Sequence, residues 1–311
     1  MVEVQSLSRY YGARCAVDRV TFSIAANEVV GFLGLNGAGK SSTLKVLAGL
    51  LLPTSGTVTV DGVDMGTNPT AVRANIGFLP EDPPLYTEMR VTDFLRFVAG
   101  LRGMSASDIE SRLPDVLKKT HLTDVADRVI DELSHGYRKR VGIAQAIIHK
   151  PRLVILDEPI SGLDPVQIVE IRSVIRGLAE ESTVLVSSHI LSEISQTADR
   201  ILVLNQGRLV AQGTEGELAG RFHIGGSVDM VLRGDRAKIE ATLQTNDAVK
   251  KLIDLDGEGD DVAIRVSMTE DVREVLVADL VQAGIGVRGV TNAHDELEGI
   301  FLDLARLEGE A

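Results

Sequence analysis

Among its 311 residues the chain has a single cysteine, Cys15. One thiol cannot close an intrachain disulfide, and zinc clusters built from several cysteines are excluded with it. That usage suits a reducing cytosol. Basic charge is also scarce: 32 Lys and Arg stand against 45 Asp and Glu, for a formal net charge of −13. Broad nucleic-acid binding usually shows a basic surface, and the short basic run Arg138–Arg140 does not supply one. Long apolar runs are missing too. No segment approaches the ~18 uninterrupted apolar residues of a membrane helix. The start, MVEVQSLSRY, carries Glu3 and no apolar stretch, so it does not read as a signal peptide. A membrane role is therefore expected to come through a partner. Internal repeats and low-complexity tracts are likewise absent.

What remains is globular in character, 44% hydrophobic and 25% charged. The length suffices for one large core and a smaller second one. AVDRVTFSI (16–24) alternates like a half-buried strand, and SGTVTVDG (55–62) reads as another between turns. VVGFL (29–33), LVIL (153–156) and VLV (184–186) are short continuous apolar runs, which suit parallel strands buried on both faces. Polar residues follow each at once: GLNGAGKSS, DEP and SSH. Ligands of open α/β sheets sit beyond the carboxyl ends of the strands, so three such clusters predict one shared site.

Residues 88–150 read as helical. VTDFLRFVAGLRG is one candidate. A second is expected to open at Ser107, with Glu110 completing a capping box. A third follows Gly136, where Val141, Ala144, Ile147 and Ile148 share one face and Arg138, Lys139 and Arg140 are left for water; Pro151 ends it. AGRFHIGGS (219–227) reads as a linker. Beyond it, VDMVL, a helical 235–244, VAIRV, a helical 270–283 with apolar Val272, Val275, Leu276 and Leu280, IGVRGV and an amphipathic DELEGIFLDLARL predict a small α+β domain. The expected domains are 1–220 and 221–311.

GLNGAGKS, from Gly34 to Ser41, matches a phosphate-binding loop between a buried strand and a helix. Its glycines let backbone N–H groups turn toward phosphates, Lys40 brings a point charge to the β- and γ-phosphates, and the Ser41 hydroxyl is a Mg²⁺ ligand. Leu35, Asn36, Gly37, Ala38 and Gly39 form the loop itself, and Ser42 follows it. LVILDEP sets Asp157 and Glu158 at the end of a buried strand, where adjacent carboxylates are costly to leave unpaired. Asp157 can hold the Mg²⁺ shell while Glu158 polarises an attacking water. A second helix start, LSHG at 133–136, could also hold an anion.

With LSHG, SGLDP and SSH added, the series resembles the ATP-binding-cassette ATPases over residues 1–220, in family order. The resemblance implies an α/β fold: a phosphate-loop ATPase domain with a mixed core sheet, an antiparallel β subdomain and a helical subdomain, followed here by the small α+β domain. It implies Tyr11 stacking on adenine, Ser134 and Gly136 as the signature segment, Gly162 to Asp164 as the D-loop, and His189 as the switch histidine that contacts the γ-phosphate, a catalytic residue together with Lys40 and Glu158. In that family the signature closes the partner chain's site, so a head-to-tail homodimer is implied. So are ATP and Mg²⁺, a separate membrane permease, and a place on the cytoplasmic face of the membrane.

The sequence also departs from the family pattern. His135 and Tyr137 alter the signature but leave Ser134 and Gly136. Glu81 stands where glutamine is usual, still able to approach Mg²⁺ and water. Ile160 replaces a commoner threonine. Glu81, PPLYTEM, the signature and LEGIFLDL are similar to ATPases of exporters for drugs, antibiotics and gliding motility. A soluble relative in translation or DNA repair is the alternative, but it would typically show two motif sets, a coiled-coil insertion or zinc cysteines. A small-molecule kinase would have no use for the signature, D-loop and histidine.

Overall fold

The computed structural model describes residues 2–221, 225–255 and 261–292. The chain divides into two compact units, Met1–Thr214 and Glu215–Ala311. In the first, the strands are β1 (Val2–Tyr11), β2 (Arg14–Ile24), β3 (Val29–Leu33), β4 (Ser55–Val60), β5 (Val63–Asp64), β6 (Ile76–Leu79), β7 (Leu153–Leu156), β8 (Thr183–Ser188), β9 (Arg200–Asn205) and β10 (Arg208–Gly213). Its helices are α1 (Lys40–Leu47), α2 (Pro69–Ala74), α3 (Val91–Leu101), α4 (Ala106–Lys119), α5 (His135–Ile147), α6 (Pro165–Leu178) and α7 (Leu191–Ser195).

The central sheet runs β10-β9-β3-β8-β7-β6, parallel except for the β9–β10 hairpin. Every residue of β3 and β7 is buried. Such strands can sit only between two covering layers, as their unbroken apolar runs require. The second sheet, β2-β1-β4-β5, is antiparallel. Phe22 from β2 meets Phe32 from β3 with ring centroids 5.9 Å apart, and one apolar core joins the two sheets.

Helices α3, α4 and α5 form the helical layer. The cap of α4 is Ser105, not Ser107: Ser105 has the extended backbone of an N-cap and accepts a hydrogen bond from the Asp108 N–H. Ser107 already lies within the first turn, where its hydroxyl meets Ser105. Along α5 the expected apolar face is buried, but so are Lys139 and Arg140. Helix α5 is therefore covered on the side left for water.

The second unit opens with α8 (Glu215–Arg221), followed by β11 (Gly225–Arg233), α9 (Arg236–Leu243), β12 (Val249–Leu255), β13 (Asp261–Met268), α10 (Arg273–Gln282) and β14 (Gly286–Asn292). Its antiparallel sheet runs β12-β13-β11-β14. Alternate residues Val228, Met230 and Leu232 of β11 pack with Ile239 and Leu243 of α9 and Leu276 and Leu280 of α10 in a core of their own. Val275 is 50% exposed and belongs to the solvent side. Residues 222–224 of the expected linker and the amphipathic 295–307 lie outside the described residues.

Candidate active site

The turn after β3 builds the phosphate loop. Gly37 and Gly39 adopt φ of 88° and 100°, in the left-handed region that favours glycine. At Gly39 space is short as well, since a Cβ there would stand 2.4 Å from the Ala16 carbonyl oxygen. Ala38 donates to the Leu35 carbonyl at 3.0 Å and closes the turn. Gly34 lies beneath it, buried against the Leu204 carbonyl. Helix α1 then starts at Lys40, whose Nζ donates to the Gly34 carbonyl at 2.5 Å. The loop residues Leu35, Asn36 and Gly37, together with Lys40, Ser41 and Ser42, line a cleft of about 480 Å³.

Strands β7 and β8 deliver the acidic side of that cleft. Ser187 Oγ donates to Asp157 Oδ1 at 2.7 Å and accepts from the Glu158 N–H at 2.9 Å. One hydroxyl thus fixes both members of the acidic pair. Sequence reasoning gave Ser187 no role, although it belongs to the SSH cluster at a strand end. Glu158 takes φ of 48°, a strained value for a non-glycine residue. Its carboxylate is held from two sides: Oε1 lies 3.4 Å from Lys40 Nζ, and Oε2 lies 3.0 Å from His189 Nδ1.

Glu81, two residues past β6, also lines the cleft. Lys139 of α5 donates to the Glu81 carbonyl and reaches within 3.5 Å of the Glu158 carbonyl. Burial holds its ammonium below the ordinary lysine value, opposed by the nearby carboxylates of Asp82, Glu81, Asp157 and Glu158. Arg140, the other buried cation of α5, sits over the Tyr137 ring and pairs with Glu170 at 3.3 Å. Charges bury when they find such partners. A helical pattern of polar residues does not reveal them.

The hairpin of β1 and β2 closes the far end. Tyr11, not Tyr10, lines the cleft, with its hydroxyl 3.5 Å from Ser42 Oγ. That hydrogen bond holds the phenol below the usual tyrosine value, against the opposing effect of burial. Arg9 lies over the ring, 4.8 Å from its centroid. Arg14, directly across the hairpin from Tyr11, lines the cleft as well, as does Ala16. The GA turn between two β-like runs is the signal that could have found Arg14.

Among the described residues no cluster of three or more His, Cys, Asp or Glu side chains could hold a metal by itself. The Ser41 hydroxyl and the carboxylates of Glu81 and Glu158 line the cleft; Asp157 is not among the lining residues and lies buried behind them, its Oδ1 taken by Ser187. Few hard protein oxygens beside a phosphate cradle fit Mg²⁺, which takes the rest of its shell from phosphates and water.

Ser134, Gly136 and Asp164 line no part of this cleft. They gather elsewhere in the same unit. Ser134 caps α5, accepting from the Tyr137 N–H at 3.5 Å. Asp164 caps α6 through the Gln167 N–H at 2.9 Å. Gln167 in turn packs on Gly136, where a Cβ would meet its Oε1 at 2.6 Å, and His135 lies beside Gly162. The motifs therefore form two separate groups within one chain.

The chain is similar to proteins of known class. The family model described as "ABC transporter" matches residues 17–161. The bacitracin transport ATP-binding protein BcrA of Bacillus licheniformis is 31% identical, across 98% of this chain and 97% of its own length. The daunorubicin/doxorubicin resistance ATP-binding protein DrrA of Streptomyces peucetius is 32% identical, across 97% and 92%. A solved dimeric bacterial ABC transporter cassette is 25% identical with a TM-score of 0.62, covering 69% of this chain and 98% of that one.

Proposed function

This chain belongs to the ATP-binding-cassette family of transporter ATPases, and on that premise we propose that two copies, joined head to tail, hydrolyse ATP to drive export through a separate membrane permease. The observation that carries this reading is the division of one chain into a nucleotide cleft and a separate signature group that lines no part of it. Each group is half of a site, and a second copy can complete both.

Within one cleft, Lys40 and the loop amides bind the phosphates, and Tyr11 supports the base. Glu158 draws a proton from the attacking water, its carboxylate aligned by His189. A Mg²⁺ held by Ser41, with Glu81 in reach and Asp157 behind them, would neutralise charge on the β- and γ-phosphates. Ser134 and the start of α5 complete the cleft of the partner copy, adding backbone N–H groups to its γ-phosphate.

The permease reading draws on the family and on one surface. Tyr86 packs edge-on against Phe97 with centroids 5.5 Å apart, and both rings are partly exposed beside the exposed Leu101 of α3. Such a patch suits the apolar face of a docking helix. No helix among the described residues is long and apolar enough to cross a membrane. The names of BcrA and DrrA favour efflux of antibiotic-like molecules at the cytoplasmic face, and full-length likeness to transporter subunits favours this over translation or DNA repair.

Cysteine crosslinking tests the shared site. With Cys15 replaced by serine, cysteines introduced at Ser134 and Ser42 are expected to link between chains when ATP is present. Links formed only within a chain would overturn the head-to-tail arrangement.

A further inference from the structure

Lys139 is the buried charge that the chemistry above leaves without a task. Its side chain is 2% exposed, the most deeply buried cation among the described residues. It projects from α5, the helix that begins at the signature. Its ammonium touches two backbone carbonyls, those of Glu81 and Glu158. These belong to loops leaving adjacent parallel strands, since Leu79 of β6 pairs with Leu156 of β7. Each carbonyl lies two residues past its strand end.

An ammonium has three N–H donors and no acceptor, so a single lysine can hold two carbonyls at once. Burying it is costly unless such partners are present. An apolar side chain of equal length would fill the same space more cheaply and hold neither loop. The Glu158 loop needs holding, because its backbone φ of 48° lies outside the regions favoured by residues with a side chain.

We infer that Lys139 is a positioning residue for hydrolysis: it ties the signature helix to the Glu81 and Glu158 loops, so the helix offered to the second copy also sets the carboxylate that acts on water in its own chain. This rests on the reading of Glu158 as that carboxylate. Closure of the pair on one nucleotide is thereby felt at the other through a single side chain.

The test uses the full chain with Lys139→Met, which keeps the length and removes the donors, and Lys139→Gln, which keeps a shorter donor. Displacing a reacting group by about 1 Å can cost roughly a hundredfold in rate. The expected result for Lys139→Met is a kcat lowered by about that factor. Binding of a fluorescent ATP analogue should stay close to wild type, and faster amide exchange should be confined to peptides around residues 80–82 and 157–161. An unchanged kcat would overturn the inference. So would faster exchange throughout residues 2–214, the mark of a general packing role. Lys139→Gln should retain more of the kcat than Lys139→Met, and if Lys139→Met does not fold, Lys139→Leu, which also lacks a donor, is judged by the same criteria. Glu158→Gln, run alongside, separates the failures. Full activity there removes the premise, whereas an inactive Glu158→Gln beside a fully active Lys139→Met removes the positioning role alone.

Discussion

Glu158 Oε1 lies 3.4 Å from Lys40 Nζ, and both side chains are almost wholly shielded from water. The group proposed to act on water and the group proposed to hold phosphate are therefore one ion pair. Removing either strands the other in a low-dielectric setting.

Lys40→Ala is expected to lose most nucleotide affinity and also to destabilise the fold. Breaking a buried pair costs about 3 kcal/mol, and His189 keeps part of the carboxylate satisfied, so the lower end of the range applies. Urea unfolding and binding of a fluorescent ATP analogue measure the two losses. Adding Glu158→Gln should restore stability without restoring binding. Wild-type affinity in Lys40→Ala would remove the phosphate-loop assignment.

Glu158→Gln keeps the shape and loses the base. Its kcat is expected to fall by at least ~10²-fold with ATP binding retained. On size exclusion with ATP, the variant should persist as a pair. Undiminished hydrolysis would sink Glu158 as the residue acting on water.

His149, just past α5, gives the chain a pH response unrelated to its chemistry. Its Nε2 lies 3.1 Å from the Ile76 carbonyl, while Nδ1 has no partner. Burial, then repulsion from Arg102, lowers its pKa to about 4. The unfolded value is about 6.5, so between these values the unfolded chain binds more protons. The stability contribution is complete above about pH 6.5 and is lost as pH falls toward 4, a loss on the order of 3 kcal/mol across the window. Urea midpoints near neutral and near the acid end of that window would show it. His149→Asn should flatten the difference.

A chain cut after Thr214 is expected to fold and bind ATP. Every residue lining the cleft precedes that point, and the core joining the two sheets draws on no residue beyond Leu209. The test is whether the soluble fragment binds the fluorescent analogue. A folded fragment without affinity would tie the second unit to the site.

The cleft was legible in sequence because backbone-driven chemistry leaves local marks. A glycine loop must sit between a buried strand and a helix, and carboxylates at strand ends stand out against apolar runs. What escaped depends on contacts distant in sequence. Lys139 meets Glu81 across 58 positions, and nothing on α5 announces the partner. Ser187 reaches back 30 positions to Asp157. Strand β12 (VKKLIDL) hides its alternation behind two lysines. The cap of α4 went to Ser107 because Glu110 completed the pattern, whereas backbone geometry chose Ser105. Arg14 needed the β1–β2 hairpin that sets it across from Tyr11, and the first strand of that hairpin carries Ser6 and Arg9 within its apolar pattern.

The packing of Gly136 against Gln167, itself tied to Asp164, has a genetic consequence. In the proposed head-to-tail pair this block serves the other copy, so a lesion there would damage a neighbour's cleft and spare its own. In a cell making equal amounts of intact and Gly136→Asp chains, most pairs contain at least one faulty copy. Such an allele is expected to be dominant over the wild type, unlike an allele that merely prevents folding, whose product never enters a pair.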